Sequence, residues 1–273
     1  MEEIKPSLKT LDRLCAIANE IIGYENIKTI FEFGSRYGED TVEFAKRYPR
    51  ATIYGFECNK STLLECRERT STYSNIVLTE KAVTEIDGPT SFFPINKEKT
   101  TTTWSDGNQG ASSLFRASGK YEIEDYVQDE DVVEGISLKS FMDSKGIDGI
   151  DLIWMDVQGA ELMAMKGLGE KLGNVKIIQA EVEFIEIYKG QPLFEDFKNY
   201  LISNYFDFIG FNSMSCYSGD AIFANKQCLS EKAREICRSQ LIHELPIIKK
   251  DSLMKRFLKS FFREFPFLRN LRK

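Results

Sequence analysis

The stretch that most restricts the fold is KTIFEFGSRYGEDTVEFAKRYP, residues 28–49. An apolar run over 28–34 reads as a short buried strand that turns at Gly34. GEDTVEFAKRYP then reads as a helix, stopped by Pro49. The same alternation continues: ATIYGFE (51–57) is a second strand, NKSTLLECRERTS a helix with Asn59 as N-cap, and NIVLTEKAV (75–83) a third strand. This order predicts an α/β fold, an open and mostly parallel doubly wound sheet with helices on both faces. Such sheets bind ligands beyond the carboxyl ends of their strands, at the switch point.

The pattern resumes after a break. TSFFPI (90–95) reads as one arm of a hairpin, and residues 96–120 are a Thr-, Ser-, Gly- and Asn-rich loop followed by the acidic stretch EIEDYVQDEDVVEG. ISLKSFMDSKGI reads as a strand end and a short helix. IDLIWMDV (150–157) is a fourth strand and VKIIQAEVEF (175–184) a fifth, each followed by a helix. FDFIGFNS and DAIFAN close the sheet as an antiparallel pair. Upstream, Leu11, Leu14, Cys15, Ala18, Ile21 and Ile22 mark one face of a helix over 8–22. The expected organisation is an N-terminal helical extension (1–27), the sheet domain (28–228) and a C-terminal helical tail (229–273). A chain of 273 residues with 42% hydrophobic content has the material for one sizeable core with extensions.

Charge divides the chain sharply. Residues 249–273 hold nine Lys or Arg against two acids, a net +7, so a chain of net −6 carries −13 over its other 248 residues. Nothing in that balance suggests a nucleic-acid partner. In the tail, Leu253, Phe257 and Phe261 are four apart, as are Lys255, Lys259 and Arg263. The two rows lie about 200° apart around a helix. That stripe suits either the surface of an anionic membrane or packing on the protein or a second copy of it. The six cysteines include no C-x-x-C pair and read as reduced thiols of a cytoplasmic protein, with the tail as the candidate contact to the inner membrane face. MEEIKPSLKT has no apolar signal region, and no apolar run approaches the ~20 residues needed to span a bilayer.

The turn at 32–38 carries the first chemical signal. It reads Glu32-x-Gly34-x-x-x-Gly38, with only two glycines, where a dinucleotide fingerprint needs G-x-G-x-x-G. Gly34 permits a sharp turn and a close approach of backbone amides to a ligand. An acid just before the turn disfavours a pyrophosphate and suits a ligand rich in positive charge and N–H or O–H donors. S-adenosyl-L-methionine, with its sulfonium, amino group and ribose, meets that description. Glu57, at the end of the second strand, is placed to accept both ribose hydroxyls; the alternative is a solvated loop acid. Asp156 ends the fourth strand, Gly159 turns the chain, and Glu161 falls in the next helix's first turn, where it can also simply complement the helix dipole.

Together FEFGSRYGEDTVEFA, YGFECNK, EKAV, IDLIWMDVQGAELMAMKG and EVEFIEIYKGQPLFEDFKNYL resemble the FkbM family of S-adenosylmethionine-dependent methyltransferases, over roughly residues 28–225. The resemblance implies a seven-stranded Rossmann-like methyltransferase fold and transfer of a methyl group to a hydroxyl, most often of a sugar or other natural product. It implies that Glu32, Gly34, Ser35, Arg36 and Gly38 form the cofactor turn, that Glu57 binds ribose and that Ala82 borders the adenine. It implies that Asp156, with Gly159 and Glu161, lies near the methyl-transfer centre, and Glu181 on the fifth strand. Ser112 and Ser113 match a serine pair of the family. Two positions depart from the pattern: Ser35-Arg36-Tyr37 stands where smaller residues are usual, and Gln158 replaces a common Glu.

An alcohol acceptor has to lose a proton, and the single histidine, His243, lies far outside this pattern. The base must then be a carboxylate, a Lys or Tyr, or a metal-bound hydroxyl; the candidate catalytic residues are the acids Asp156, Glu161 and Glu181, with Asp156 favoured as the base. Crowded carboxylates raise at least one pKa and make a better base. The same cluster equally suits a divalent metal, and the sequence leaves both open. Trp104, Ser113 and Arg116 are candidate acceptor contacts in the loop. Trp104 is placed to stack on a sugar face, and Arg116 or Lys120 to meet an anionic acceptor. The loop is either an ordinary surface loop or a lid over substrate. Two rival readings stand beside the O-methyltransferase: a scaffold of the same fold without chemistry, to which Arg36 in the turn and the lack of a usable histidine point, and a nicotinamide-dependent dehydrogenase, against which the missing third glycine argues.

Overall fold

Ile30, Phe31 and Phe33 are all fully buried, so the strand that carries them is covered on both faces. In the computed structural model, which describes residues 6–244 and side chains from residue 9, this strand, β1 (Thr29–Phe33), lies at the centre of a seven-stranded sheet. Its parallel neighbours are β2 (Thr52–Phe56) and, beyond it, β3 (Ile76–Thr79). A second, three-stranded sheet follows, from β4 (Ala82–Thr84), β5 (Gly88–Phe92) and β6 (Asp131–Ser137), in the order β4-β6-β5. The chain then returns to the other side of β1 as β7 (Ile150–Met155) and β8 (Val175–Glu183). Last come β9 (Phe206–Met214) and β10 (Ser218–Asn225); β10 inserts between β8 and β9 and is antiparallel to both. The full order is β3-β2-β1-β7-β8-β10-β9. The expected mostly parallel sheet with an antiparallel final pair is therefore present.

Seven helices cover it among the described residues: α1 (Pro6–Ile22), α2 (Glu39–Arg47), α3 (Lys60–Thr70), α4 (Leu138–Lys145), α5 (Glu161–Lys166), α6 (Phe194–Ser203) and α7 (Glu231–Gln240). On one face Phe31 and Phe33 pack with Phe141 and Met142 of α4, Met165 of α5 and Phe197 of α6. On the other, Ile30 packs with Leu11, Leu14 and Ile17 of α1, Phe44 of α2 and Cys237 of α7. Truncating such a residue, Phe31→Ala for instance, costs about 3–5 kcal/mol. A buried polar tie fixes α1 across the sheet. Asn212 Nδ2 donates to Gln179 Oε1 and to the carbonyl of Thr10, both at 2.7 Å, and Arg13 donates to the carbonyl of Asn212 at 2.5 Å.

Three expectations need correction. The third strand, expected over 75–83, is broken at Glu80 and Lys81, and its two halves join different sheets. DVVEGIS, inside the acidic stretch, is the central strand β6, because its partners on either side satisfy the backbone regardless of its charges. TSFF pairs with that strand rather than with a neighbouring hairpin arm. The loop over 96–120 is tied down by isolated bridges Phe93–Ser113, Thr101–Asp125 and Ala117–Tyr188. All six cysteines are free thiols. No helix among the described residues is long and apolar enough to cross a membrane. The basic amphipathic tail, 249–273, lies outside the described residues.

Candidate functional site

Gly34 has φ +81°, and a Cβ there would come within 2.1 Å of the Asp156 carbonyl oxygen. A side chain cannot be accommodated, because the turn after β1 presses on the turn after β7. The Gly34 and Ser35 amides both donate to the carbonyl of Phe56 at 3.0 Å, and the Arg36 amide donates to Glu57 Oε2 at 2.6 Å. The Asn59 amide donates to the other oxygen, Oε1, also at 2.6 Å. Glu57 is 7% exposed, and burial pushes its carboxyl up to about 7 although these amides pull it down. One oxygen is fixed by the first turn and one by the second. The Cys58 amide and the Thr62 hydroxyl add to these donors.

These turns open into a cavity of about 360 Å³, a volume suited to a cofactor and part of an acceptor. Gly34, Glu57, Ala82 and Gln109 are among its lining residues. Gln109 donates through Nε2 to the carbonyl of Ile95, while its buried Oε1 has no partner. An open acceptor, a doubly anchored carboxylate and a turn that excludes side chains fit the amino group, ribose and close backbone contacts of S-adenosylmethionine.

Asp156, Gln158, Glu181 and Glu183 line the same cavity from β7 and β8, on the other side of β1 from β2. Gln158 has φ +52° and donates through one amide nitrogen to both Asp156 Oδ1 at 2.6 Å and Glu181 Oε2 at 2.8 Å. Its own oxygen accepts from Tyr188 Oη at 2.6 Å, and Tyr188 also donates to the carbonyl of Ala111 at 2.8 Å. The nearby charge of Asp156, then burial, holds Glu181 well above the usual carboxylate range. Burial does the same for Glu183, with Glu161 and Asp156 adding to it. Burial also lifts Asp220, to about 6. No group of three or more His, Cys, Asp or Glu among the described residues is arranged to hold a metal ion.

The sequence-predicted residues divide into two sets. Gly34, Arg36, Glu57, Ala82, Asp156, Glu181, Trp104 and Ser113 line the cavity, whereas Glu32, Ser35, Gly38, Glu161 and Arg116 do not. Glu32 shares its sheet face with Ile30, so it lies beneath α2; it accepts from Ser35 Oγ at 3.2 Å, and burial pushes it up to about 8. Gly38, at φ +80°, faces α3: a Cβ there would meet Thr70 at 3.0 Å and Cys66 at 3.3 Å. Glu161 folds back to accept from the Val157 amide at 3.0 Å and is 4% exposed, with burial raising it to about 8. Arg116 donates to Glu130 at 2.6 Å over the ring of Phe93, and Lys120 pairs with Glu186. Ser113 donates to the Gln158 carbonyl at 2.6 Å and accepts from the Phe115 amide at 2.9 Å, so its hydroxyl fastens the loop to the β7 turn. His243 sits beside Gly210 on β9.

Several lining residues were not anticipated. Tyr121, Tyr126 and Glu124 come from the stretch after the loop. Tyr126 stacks on Tyr188 with centroids 6.2 Å apart, and Tyr121 meets the rings of Tyr126 and Tyr217 at 5.6 and 5.4 Å. Tyr188 belongs to the Tyr-Lys-Gly-Gln run, a visible motif that held no role until its hydroxyl was seen to reach Gln158.

The chain matches the family model described as Methyltransferase FkbM domain over residues 26–209. It is 29% identical over 164 residues to the 2-O-methyltransferase NoeI of Sinorhizobium fredii (strain NBRC 101917 / NGR234), an alignment covering 59% of this chain. It spans 66% of the length of that relative. Similar solved structures include magnesium protoporphyrin IX methyltransferase (ChlM) from Synechocystis PCC 6803 with bound SAM, at TM-score 0.42 and 10% identity, covering 82% of this chain and 86% of that one. M. capricolum TrmK in complex with S-adenosyl-homocysteine is similar at TM-score 0.43 and 12% identity, covering 94% and 86%.

Proposed function

This chain belongs to the FkbM methyltransferase family, and on that footing we propose that it is an S-adenosylmethionine-dependent O-methyltransferase acting on a sugar hydroxyl. The observation that carries the reading is that Glu57, after β2, and the Asp156–Glu181 pair, on β7 and β8 across the central strand β1, line one cavity. The relative NoeI, a 2-O-methyltransferase, supports an oxygen acceptor.

When bound, S-adenosylmethionine supplies a methyl group activated on a sulfonium. Glu57 holds the ribose hydroxyls. Ala82 and Val83 form an apolar edge for the adenine, and Gln109 Oε1 accepts from an amino group. Asp156 receives the acceptor hydroxyl and takes its proton, and Glu181, held above the usual carboxylate range by the Asp156 charge and by burial, stands beside it as a hydrogen-bonding partner. Gln158 fixes the spacing of the two carboxylates by donating to both, and Tyr188 fixes Gln158. Holding the acceptor in line with the methyl group supplies much of the acceleration. Glu161 acts through the backbone of the 157–161 turn, as a positioning residue. The engagement of Arg36 by Asp106 supports the catalytic reading over the scaffold, since the guanidinium is not left facing a sulfonium.

Calorimetric titration with S-adenosylmethionine tests the reading. Binding in the micromolar range, weakened at least tenfold by Glu57→Ala, is expected. Absence of binding at millimolar cofactor contradicts it.

A further inference from the structure

The acceptor end of the cavity is built from acids and tyrosines. Glu124, Asp156, Glu181 and Glu183 all line it, with Tyr121 and Tyr126 forming a wall beside them. Glu124 is held in place by donors from Tyr126 at 2.7 Å and Asn108 at 2.8 Å. Only two cationic side chains line the cavity among the described residues. Arg36 is engaged by Asp106 at 2.5 Å, with the ring of Trp104 5.3 Å from its guanidinium. Lys81 adjoins Ala82 in the chain. Of the basic residues of the loop, Arg116 is paired with Glu130 and Lys120 with Glu186, and Lys97 and Lys99 do not line the cavity.

We propose that this end selects a sugar that carries no anionic group, either neutral or amine-bearing, and rejects uronates and sulfated or phosphorylated sugars; the proposal rests on the methyltransferase reading. Sugar hydroxyls donate to carboxylates, and the C–H face of a pyranose lies against tyrosine rings. An ammonium gains from the ionised carboxylates around it. A second anion placed beside Asp156 is repelled. The crowding is already felt by the acids themselves, since Asp156 holds Glu181 above its usual range.

The test uses the full chain and methyl-labelled S-adenosylmethionine. A bacterial glycan extract is separated by ion exchange into cationic, neutral and anionic pools of equal sugar content, and label transferred into each is counted. Cofactor binding is measured in parallel by calorimetry. The proposal expects label in the neutral or cationic pool and at most one tenth as much in the anionic pool. Equal or greater label in the anionic pool overturns it while leaving the methyltransferase reading intact. Bound cofactor with label in no pool overturns the sugar-acceptor reading and this proposal with it. Failure of the cofactor to bind overturns the reading on which both stand.

Discussion

Arg36 donates to Asp106 at 2.5 Å, joining the turn after β1 to a loop residue 70 positions later. Tyr37 Oη donates to the same carboxylate oxygen at 2.9 Å, and Trp104 lies against the guanidinium. Arg36, at φ +49°, thus uses its backbone amide to hold Glu57 and its side chain to hold the roof of the cavity. Asp106→Ala should loosen the segment around 104–112, seen as faster amide exchange there. It should also weaken cofactor binding roughly fivefold, about 1 kcal/mol for a partly exposed ion pair. Unchanged exchange in that segment would show that the pair does not order the roof.

Glu57 carries a sharper expectation. Glu57→Ala removes a buried acceptor anchored by two amides, and cofactor affinity should fall by about 1.5–3 kcal/mol, roughly tenfold or more. Burial raises this carboxyl to about 7, so in the ligand-free protein it becomes protonated as pH drops through neutrality. Ribose hydroxyls donate better to the ionised form. Calorimetry between pH 6 and 8 should therefore show affinity rising with pH, and Glu57→Gln should flatten that rise.

Stability should run the other way. Glu32 and Glu161 are raised to about 8, Glu57 to about 7 and Asp220 to about 6, with Glu181 and Glu183 also raised. Each holds its proton in the folded chain at a pH where the unfolded chain has lost it. The unfolded state then binds fewer protons, so stability decreases as pH rises. The contribution is fully present below the ordinary carboxylate range and is lost as pH climbs through the folded values. The melting temperature of the ligand-free protein should fall between about pH 5 and 8. Glu32→Gln, which keeps the buried hydrogen-bonding group without its charge, should lessen that fall.

The two glycines of the turn should separate cleanly. Gly34→Ala places a Cβ on the Asp156 carbonyl in a left-handed conformation, and should cost more than about 3 kcal/mol or prevent folding. Gly38→Ala meets the side chains of Thr70 and Cys66 at 3.0 and 3.3 Å, with the Cys66 carbonyl no nearer than 3.4 Å, and should cost about 1–2 kcal/mol. Urea unfolding of both variants measures the difference, and equal costs would contradict it.

The sheet was legible because each of its strands is a short apolar run bounded by turn residues. The second sheet was not, since DVVEGIS reads as part of an acidic stretch and only its partners make it a strand. That Glu32 does not line the cavity was not legible for a related reason. A strand buried on both faces shows no alternation, so nothing in IFEF says which side an acid takes. Gly34, Glu57 and Asp156 were readable because strand ends in such a sheet lead into the crevice. The network of Gln158, Tyr188 and Ser113 was not, as it joins three segments through contacts that no local spacing reveals. One local sign was present: Gln158 directly precedes Gly159, where both residues adopt positive φ.

The most direct test of the proposed chemistry is transfer of label from methyl-labelled S-adenosylmethionine to a glycan extract by the unaltered protein and by Asp156→Asn, with cofactor affinity measured on both. Asp156→Asn should bind cofactor with near-unaltered affinity and transfer label about 10²–10⁴-fold more slowly, the usual contribution of a general base. Transfer by Asp156→Asn at the rate of the unaltered protein would contradict the assignment of Asp156 as the proton acceptor.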